Sequence, residues 1–154
     1  LGSMSAEVSD VPGHTLGHIA FSLPQEGVAF VGDALFALGC GRLFEGDPAM
    51  MWQSLSRLKA LDPDTTIYCA HEYTQANARF ALSVDPDNPA LQAYAREVED
   101  RRSRGEFTVP TQLSRELEAN PFLRADVAAL QQAMGHPGDP VATFAEIRGR
   151  KDRF

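Results

Sequence analysis

Apolar residues follow two different spacings along this chain. Up to about residue 84, short β-prone runs alternate with helical ones; beyond it, apolar residues recur almost only at helical intervals. Ile19–Leu23 is a compact apolar run closed by Pro24, and 28–31 is a second, entered through Glu26-Gly27 and left through Gly32-Asp33. The turn between them fits a hairpin. The second run lacks alternation, which predicts a strand covered on both faces. Asp47-Pro48 predicts a helix start, with Asp47 as N-cap and Pro48 in the first turn. Met51, Leu55 and Leu58 then share one face, and Leu61-Asp62-Pro63 ends the helix. A third strand is expected over 65–70, delivering His71 at its C-terminal end, followed by a helix over 74–82.

The turn-rich joint Asp85-Pro86-Asp87-Asn88-Pro89 marks a change. After it the chain reads as almost wholly helical. Leu91, Tyr94, Ala95 and Val98 form one amphipathic face; Leu123, Val127, Leu130 and Met134 form another; Asp139-Pro140 caps a last helix carrying Val141, Phe144 and Ile147. The order βαβα followed by helices predicts an α/β (α+β) layer over 5–84 and a helical domain over 85–154. Residues 1–4 read as a cleavage-site scar. Roughly three strands is few for a sheet open at both edges, so more sheet is expected before residue 10, and an exposed edge favours self-association.

The 154 residues are 44% hydrophobic and 23% charged, enough for a packed core. Net charge is −7, which argues against nucleic-acid binding. No apolar run reaches membrane-span length, and no secretory leader is evident. Cys40 and Cys69 follow neither zinc-knuckle nor redox spacing and read as reduced thiols of a cytoplasmic protein. Basic residues gather at Arg148, Arg150, Lys151 and Arg153, a cluster that gains meaning beside a small anionic ligand.

Three short stretches carry the candidate chemistry: Pro12-Gly13-His14-Thr15-Leu16-Gly17-His18, Val31-Gly32-Asp33-Ala34-Leu35-Phe36 and Tyr68-Cys69-Ala70-His71-Glu72-Tyr73. Each places an imidazole or carboxylate in a tight turn. Strand ends on one edge of a sheet converge, so His14, Asp33 and His71 are candidate ligands of one metal site, with Asp33 able to bridge two ions through its two oxygens. His18 reads as a supporting residue, and His136 as a turn residue without a role.

These strings resemble the metallo-β-lactamase superfamily, and within it the hydroxyacylglutathione hydrolase (glyoxalase II) family. Gly39-Cys40-Gly41-Arg42-Leu43-Phe44-Glu45-Gly46, Asn120-Pro121-Phe122-Leu123-Arg124 and Arg148-Gly149-Arg150-Lys151-Asp152 extend the likeness from about Val11 to Phe154. The resemblance implies the C-terminal half of an αββα sandwich followed by a helical substrate-binding domain. It implies binuclear zinc, with iron or manganese also compatible: His14 on one metal, His71 on the other and Asp33 between. It further implies Arg42, Phe44, Tyr73, Arg148 and Lys151 around a glutathione thioester. The implied reaction is hydrolysis of S-D-lactoylglutathione to D-lactate and glutathione, a step of methylglyoxal detoxification, by water activated at the metals.

The chain departs from the pattern in two ways. Phe44 stands where a second Tyr is expected, removing one hydroxyl. The family's Thr-His-x-His-x-Asp-His motif, which supplies the other ligands and the first sheet, is absent, so the chain alone is expected to have impaired activity. Two alternatives follow: a non-catalytic binding module, or another enzyme of the superfamily such as a persulfide dioxygenase with one iron.

Overall fold

The structure, a computed structural model, describes residues 2–154; Leu1 of the expected scar lies outside them. Five strands form the main sheet: β1 (Glu7–Asp10), β2 (Ile19–Leu23), β3 (Val28–Gly32), β6 (Thr66–Cys69) and β7 (Thr111–Gln112), in the order β1-β2-β3-β6-β7. Two further strands, β4 (Leu35–Phe36) and β5 (Gly39–Cys40), make a small hairpin. The helices are α1 (Pro48–Lys59), α2 (Thr74–Val84), α3 (Pro89–Ser103), α4 (Leu113–Ala119), α5 (Ala128–Met134) and α6 (Pro140–Arg153). None is long and apolar enough to cross a membrane.

The expected helix starts form for the expected reason. Asp47 Oδ1 accepts the Met50 N–H at 2.8 Å, and Asp139 Oδ1 accepts the Ala142 N–H at 2.9 Å. Asn88 Oδ1 takes the Ala90 and Leu91 N–H groups, which converts the Asp-Pro-Asp-Asn-Pro joint into the N-terminus of α3.

Strand direction places the candidate site. β3 and β6 run parallel, joined across α1, so Asp33 and His71 leave the sheet at the same edge. β1 is antiparallel to β2, which is antiparallel to β3, so β1 also ends at that edge and its following loop carries His14 there. The Val11 N–H to His18 carbonyl bond, 2.8 Å, closes this loop.

One face of the sheet is packed. Ala20, Ala29, Val31 and Ile67 lie in the same buried cluster as Met51, Leu55 and Leu58 of α1 and Phe144 and Ile147 of α6. The opposite face is open. Val8, Phe21, Phe30 and Tyr68 stand in register across β1, β2, β3 and β6, all exposed, with the Phe30 and Tyr68 rings stacked at 5.1 Å. The expectation that 28–31 is covered on both faces is therefore corrected: Phe30 is 46% exposed. Its apolar run matches a doubly covered strand in composition, but among the described residues only one layer of helices covers it.

Three other expectations change. The sheet has five strands rather than about three, because the polar segments Glu7–Asp10 and Thr111–Gln112 join it as edges. The second half of the chain, expected to be almost wholly helical, also supplies among the described residues one short strand, β7, which pairs with β6, and the buried cluster runs through both halves. Leu123 and Val127 precede α5 instead of belonging to it; Asn120 bends the chain there, its side-chain oxygen accepting the Phe122 N–H at 3.0 Å.

A buried polar knot fixes the β4–β5 hairpin beside the site. Glu116 of α4 accepts the Leu38 N–H at 2.8 Å, the Asn120 amide at 3.0 Å and the hydroxyls of Thr111 and Tyr94 at 2.8 and 3.2 Å. Asn120 donates to the Phe36 and Gly39 carbonyls, and Asn77 of α2 to the Ala37 carbonyl. Leu38 can thus hold a left-handed conformation, φ 57°, inside the protein.

Candidate metal centre

Asp33 follows Gly32 at the end of β3, where the ladder slips register. Gly32 has φ +54°, and a Cβ there would lie 2.7 Å from His18 Nε2, so the turn requires glycine. His18 Nε2 in turn accepts the Asp33 N–H at 3.0 Å. That bond fixes the backbone of Asp33 and accounts for the second His of the first motif as a support.

The two candidate imidazoles face different oxygens of Asp33. His14 Nε2 is 3.6 Å from Oδ2, and His71 Nε2 is 3.3 Å from Oδ1. His14 Nδ1 lies 2.7 Å from the Arg42 carbonyl, which can only accept, so Nδ1 carries the proton. In the neutral ring, Nε2 then presents a lone pair toward a carboxylate oxygen. Asp33 Oδ1 is buried and accepts no hydrogen bond. The His14 lone pair facing Oδ2 and the orphaned Oδ1 beside His71 form an arrangement that cations would satisfy, and the donor set suits zinc, iron or manganese. Each of the two positions has one imidazole and one carboxylate oxygen. Among the described residues no group of three or more His, Cys, Asp or Glu closes around a single ion.

A cavity of about 290 Å³ opens over these groups, lined by His14, Asp33, Phe36, Arg42, Phe44, His71 and Tyr73. Tyr73 stacks on His71 at 4.8 Å and meets the Phe36 ring at 5.4 Å; Phe44 lies 5.1 Å from His14. The next residue along, Glu72, anchors this loop by accepting both the N–H and the hydroxyl of Thr108. Burial works against the Glu72 carboxylate, but these hydrogen bonds outweigh it and hold the group below its ordinary value.

Six of the eight residues singled out in the sequence therefore meet at one cavity. Arg148 and Lys151 are not on its wall. Arg148 is 7% exposed, with one nitrogen on the Cys40 carbonyl at 3.0 Å and another on Asp152 at 3.1 Å. Lys151 lays its amine over the Phe80 and Phe154 rings, about 5 Å from each, where burial and the nearby Arg148 charge lower its pKa. Burial pushes the adjacent Cys40 thiol up to about 11, despite the Arg148 charge, leaving it inert. Sequence reasoning missed Phe36, Asp152 and Glu116. Phe36 and Asp152 left a signal, each standing inside a quoted motif, whereas Glu116 left none.

The profile of the family described as "Hydroxyacylglutathione hydrolase C-terminus" matches residues 72–154, and that of the metallo-β-lactamase superfamily matches residues 1–71. The chain belongs to the hydroxyacylglutathione hydrolase family. Hydroxyacylglutathione hydrolases from Hyphomonas neptunium and Maricaulis maris are each 61% identical to it, over 154 and 155 residues, all of this chain and 60% of each relative. The chain thus spans about three fifths of the length of these curated relatives. Among solved structures, the BLEG-1 B3 metallo-β-lactamase superposes with a TM-score of 0.53 at 22% identity, covering 80% of this chain and 43% of that one. TTHA1623, solved in a di-iron-bound form, superposes with a TM-score of 0.51 at 28% identity, over 77% and 42% of the two chains. The mixed α/β architecture is that of the metallo-β-lactamase fold, matched over the portion this chain contains.

Proposed function

We propose that this member of the hydroxyacylglutathione hydrolase family carries the bridging carboxylate and the glutathione-facing wall of a thioester hydrolase. The reaction is S-D-lactoylglutathione plus water to D-lactate and glutathione: the acyl C–S bond breaks, a C–O bond to water forms, and the sulfur leaves as a thiolate. The observation that carries this reading is the pair of imidazoles on opposite oxygens of Asp33, at 3.6 and 3.3 Å. His14 with Asp33 would hold one divalent ion and His71 with Asp33 a second. Bound ions would supply Lewis acidity to the thioester carbonyl and raise the acidity of water. Zinc is the metal proposed; the di-iron form of TTHA1623 favours keeping iron as a substitute.

The chain's own residues recognise the substrate. Among the described residues Arg42 is the single Arg or Lys on the cavity wall, and it takes a glutathione carboxylate. Tyr73 offers its hydroxyl, while Phe36 and Phe44 give apolar surface that restricts water around the reacting carbonyl. Arg148 and Lys151 act from behind the wall, as fixed positive charge in an acidic protein. Two free thiols, Cys40 and Cys69, fit a cytoplasmic setting.

A second reading rests on the two donors available per ion. Zinc sites use three or four protein ligands, so the chain by itself would be a glutathione-binding module with little turnover. One assay separates the two. Thioester loss is followed for the chain with zinc, and for the chain joined to the part of the Hyphomonas neptunium relative outside the match. The hydrolase reading expects turnover in the joined protein that Asp33→Ala abolishes. No turnover there, with glutathione still bound, establishes the module.

A further inference from the structure

A line of three charged groups runs behind the Arg42 side of the cavity. Arg148, buried in α6, reaches Asp152 Oδ1 at 3.1 Å one helical turn on. The same oxygen lies 3.4 Å from Arg42 Nε. The Arg42 side chain is 59% exposed, and Asp152 is its one charged partner among the described residues. Engagement through Nε leaves the edge formed by the two terminal nitrogens open, and that edge matches a carboxylate in a two-point fork.

Resting on the glutathione reading, we propose that Asp152 is a positioning residue for substrate carboxylate recognition. It holds the Arg42 guanidinium by its Nε so that the free edge faces the cavity. Arg148 does the same for Asp152: its other nitrogen is tied to the Cys40 carbonyl, so the carboxylate is held against the backbone of β5. A long, solvent-exposed arginine loses rotamer freedom each time it grips a ligand, and fixing it beforehand removes most of that cost. Asp152 touches no reacting atom. A purely structural alternative would have it serve only as the i,i+4 partner of Arg148 within α6.

Calorimetric titration of glutathione into the chain tests this, using the wild type, Asp152→Asn, Arg42→Ala and the double variant. Glu146→Gln, which removes a different ion pair of α6, is the control. Asp152→Asn is expected to weaken binding about fivefold in the wild-type background and negligibly once Arg42 is gone. Glu146→Gln should bind as the wild type does. Unchanged affinity in Asp152→Asn, or the same loss with and without Arg42, overturns the proposal. If the wild type binds no glutathione, the substrate reading fails, and nuclear spin relaxation of the Arg42 Nε–H then decides the positioning claim. An ordered Nε–H in the wild type that becomes mobile in Asp152→Asn supports it; equal mobility in both refutes it.

Discussion

His14 Nδ1 donates to the backbone carbonyl of Arg42 across 2.7 Å, joining the first candidate metal ligand to the arginine on the cavity wall. The bond sets the tautomer of the ring and aims Nε2 at Asp33, the supporting role that outer partners of metal-binding histidines play. It depends on how closely residues 40–42 pass the Asp33 turn.

Gly41 makes that approach possible. A Cβ at this position would lie 2.0 Å from the Asp33 carbonyl oxygen and 3.2 Å from His14 Cβ. Backbone on one side and the His14 side chain on the other leave nothing soft to yield. Gly41→Ala is expected to destabilise the fold by about 1–3 kcal/mol, the usual scale of overpacking, and to weaken zinc binding as well. Denaturant unfolding and a zinc titration measure the two effects; a variant indistinguishable from wild type in both would show that the segment is loosely held.

Glu116 predicts a pH effect. Its pKa is raised, first by burial, against which hydrogen bonds from Leu38, Thr111, Asn120 and Tyr94 act only partly. The folded value lies above the unfolded one, so the folded state binds the proton more tightly. That stabilising contribution is complete below the unfolded value of about 4.3 and disappears as pH rises through the folded value. Glu116→Gln removes the titration. Stability of the wild type should fall more steeply than that of the variant on going from acid to neutral pH. Parallel stability curves for the two proteins would contradict this.

Much of the frame could be read from residue order. The proline-led helix starts, the Asn88 joint and the three motif turns all rest on local chemistry, which a sequence displays. Glu116 could not be found this way: it looks like any charged residue of a short helix until Tyr94, Thr111 and Leu38 close around it from three other elements. The edge strands β1 and β7 escaped because pairing, and no apolar spacing, defines them. The six residues that share the cavity were legible because they fall in four short motifs, Arg42 with Phe44 in one and His71 with Tyr73 in another. The place of Arg148 around the ligand came from the family resemblance; in the structure its guanidinium contacts the Cys40 carbonyl and Asp152, partners that residue order alone does not display.

The open sheet face carries its own consequence. Val8, Phe21, Phe30 and Tyr68 form a contiguous exposed apolar row, the type of surface another apolar surface covers. The chain on its own is expected to associate with rising concentration, and Phe30→Ser to reduce that association with little cost in stability. Sedimentation velocity over a concentration series reads the outcome; identical behaviour of the two proteins would clear this face of the role.

On the proposed reading Asp33 joins His14 and His71 into one cation-binding unit. Imidazole nitrogen NMR during a zinc titration addresses it most directly. The Nε2 resonances of His14 and His71 are both expected to move to saturation, that of His136 to stay unchanged, and Asp33→Ala to abolish both responses. Zinc binding that leaves the His14 and His71 nitrogens unmoved, or that survives intact in Asp33→Ala, would contradict it.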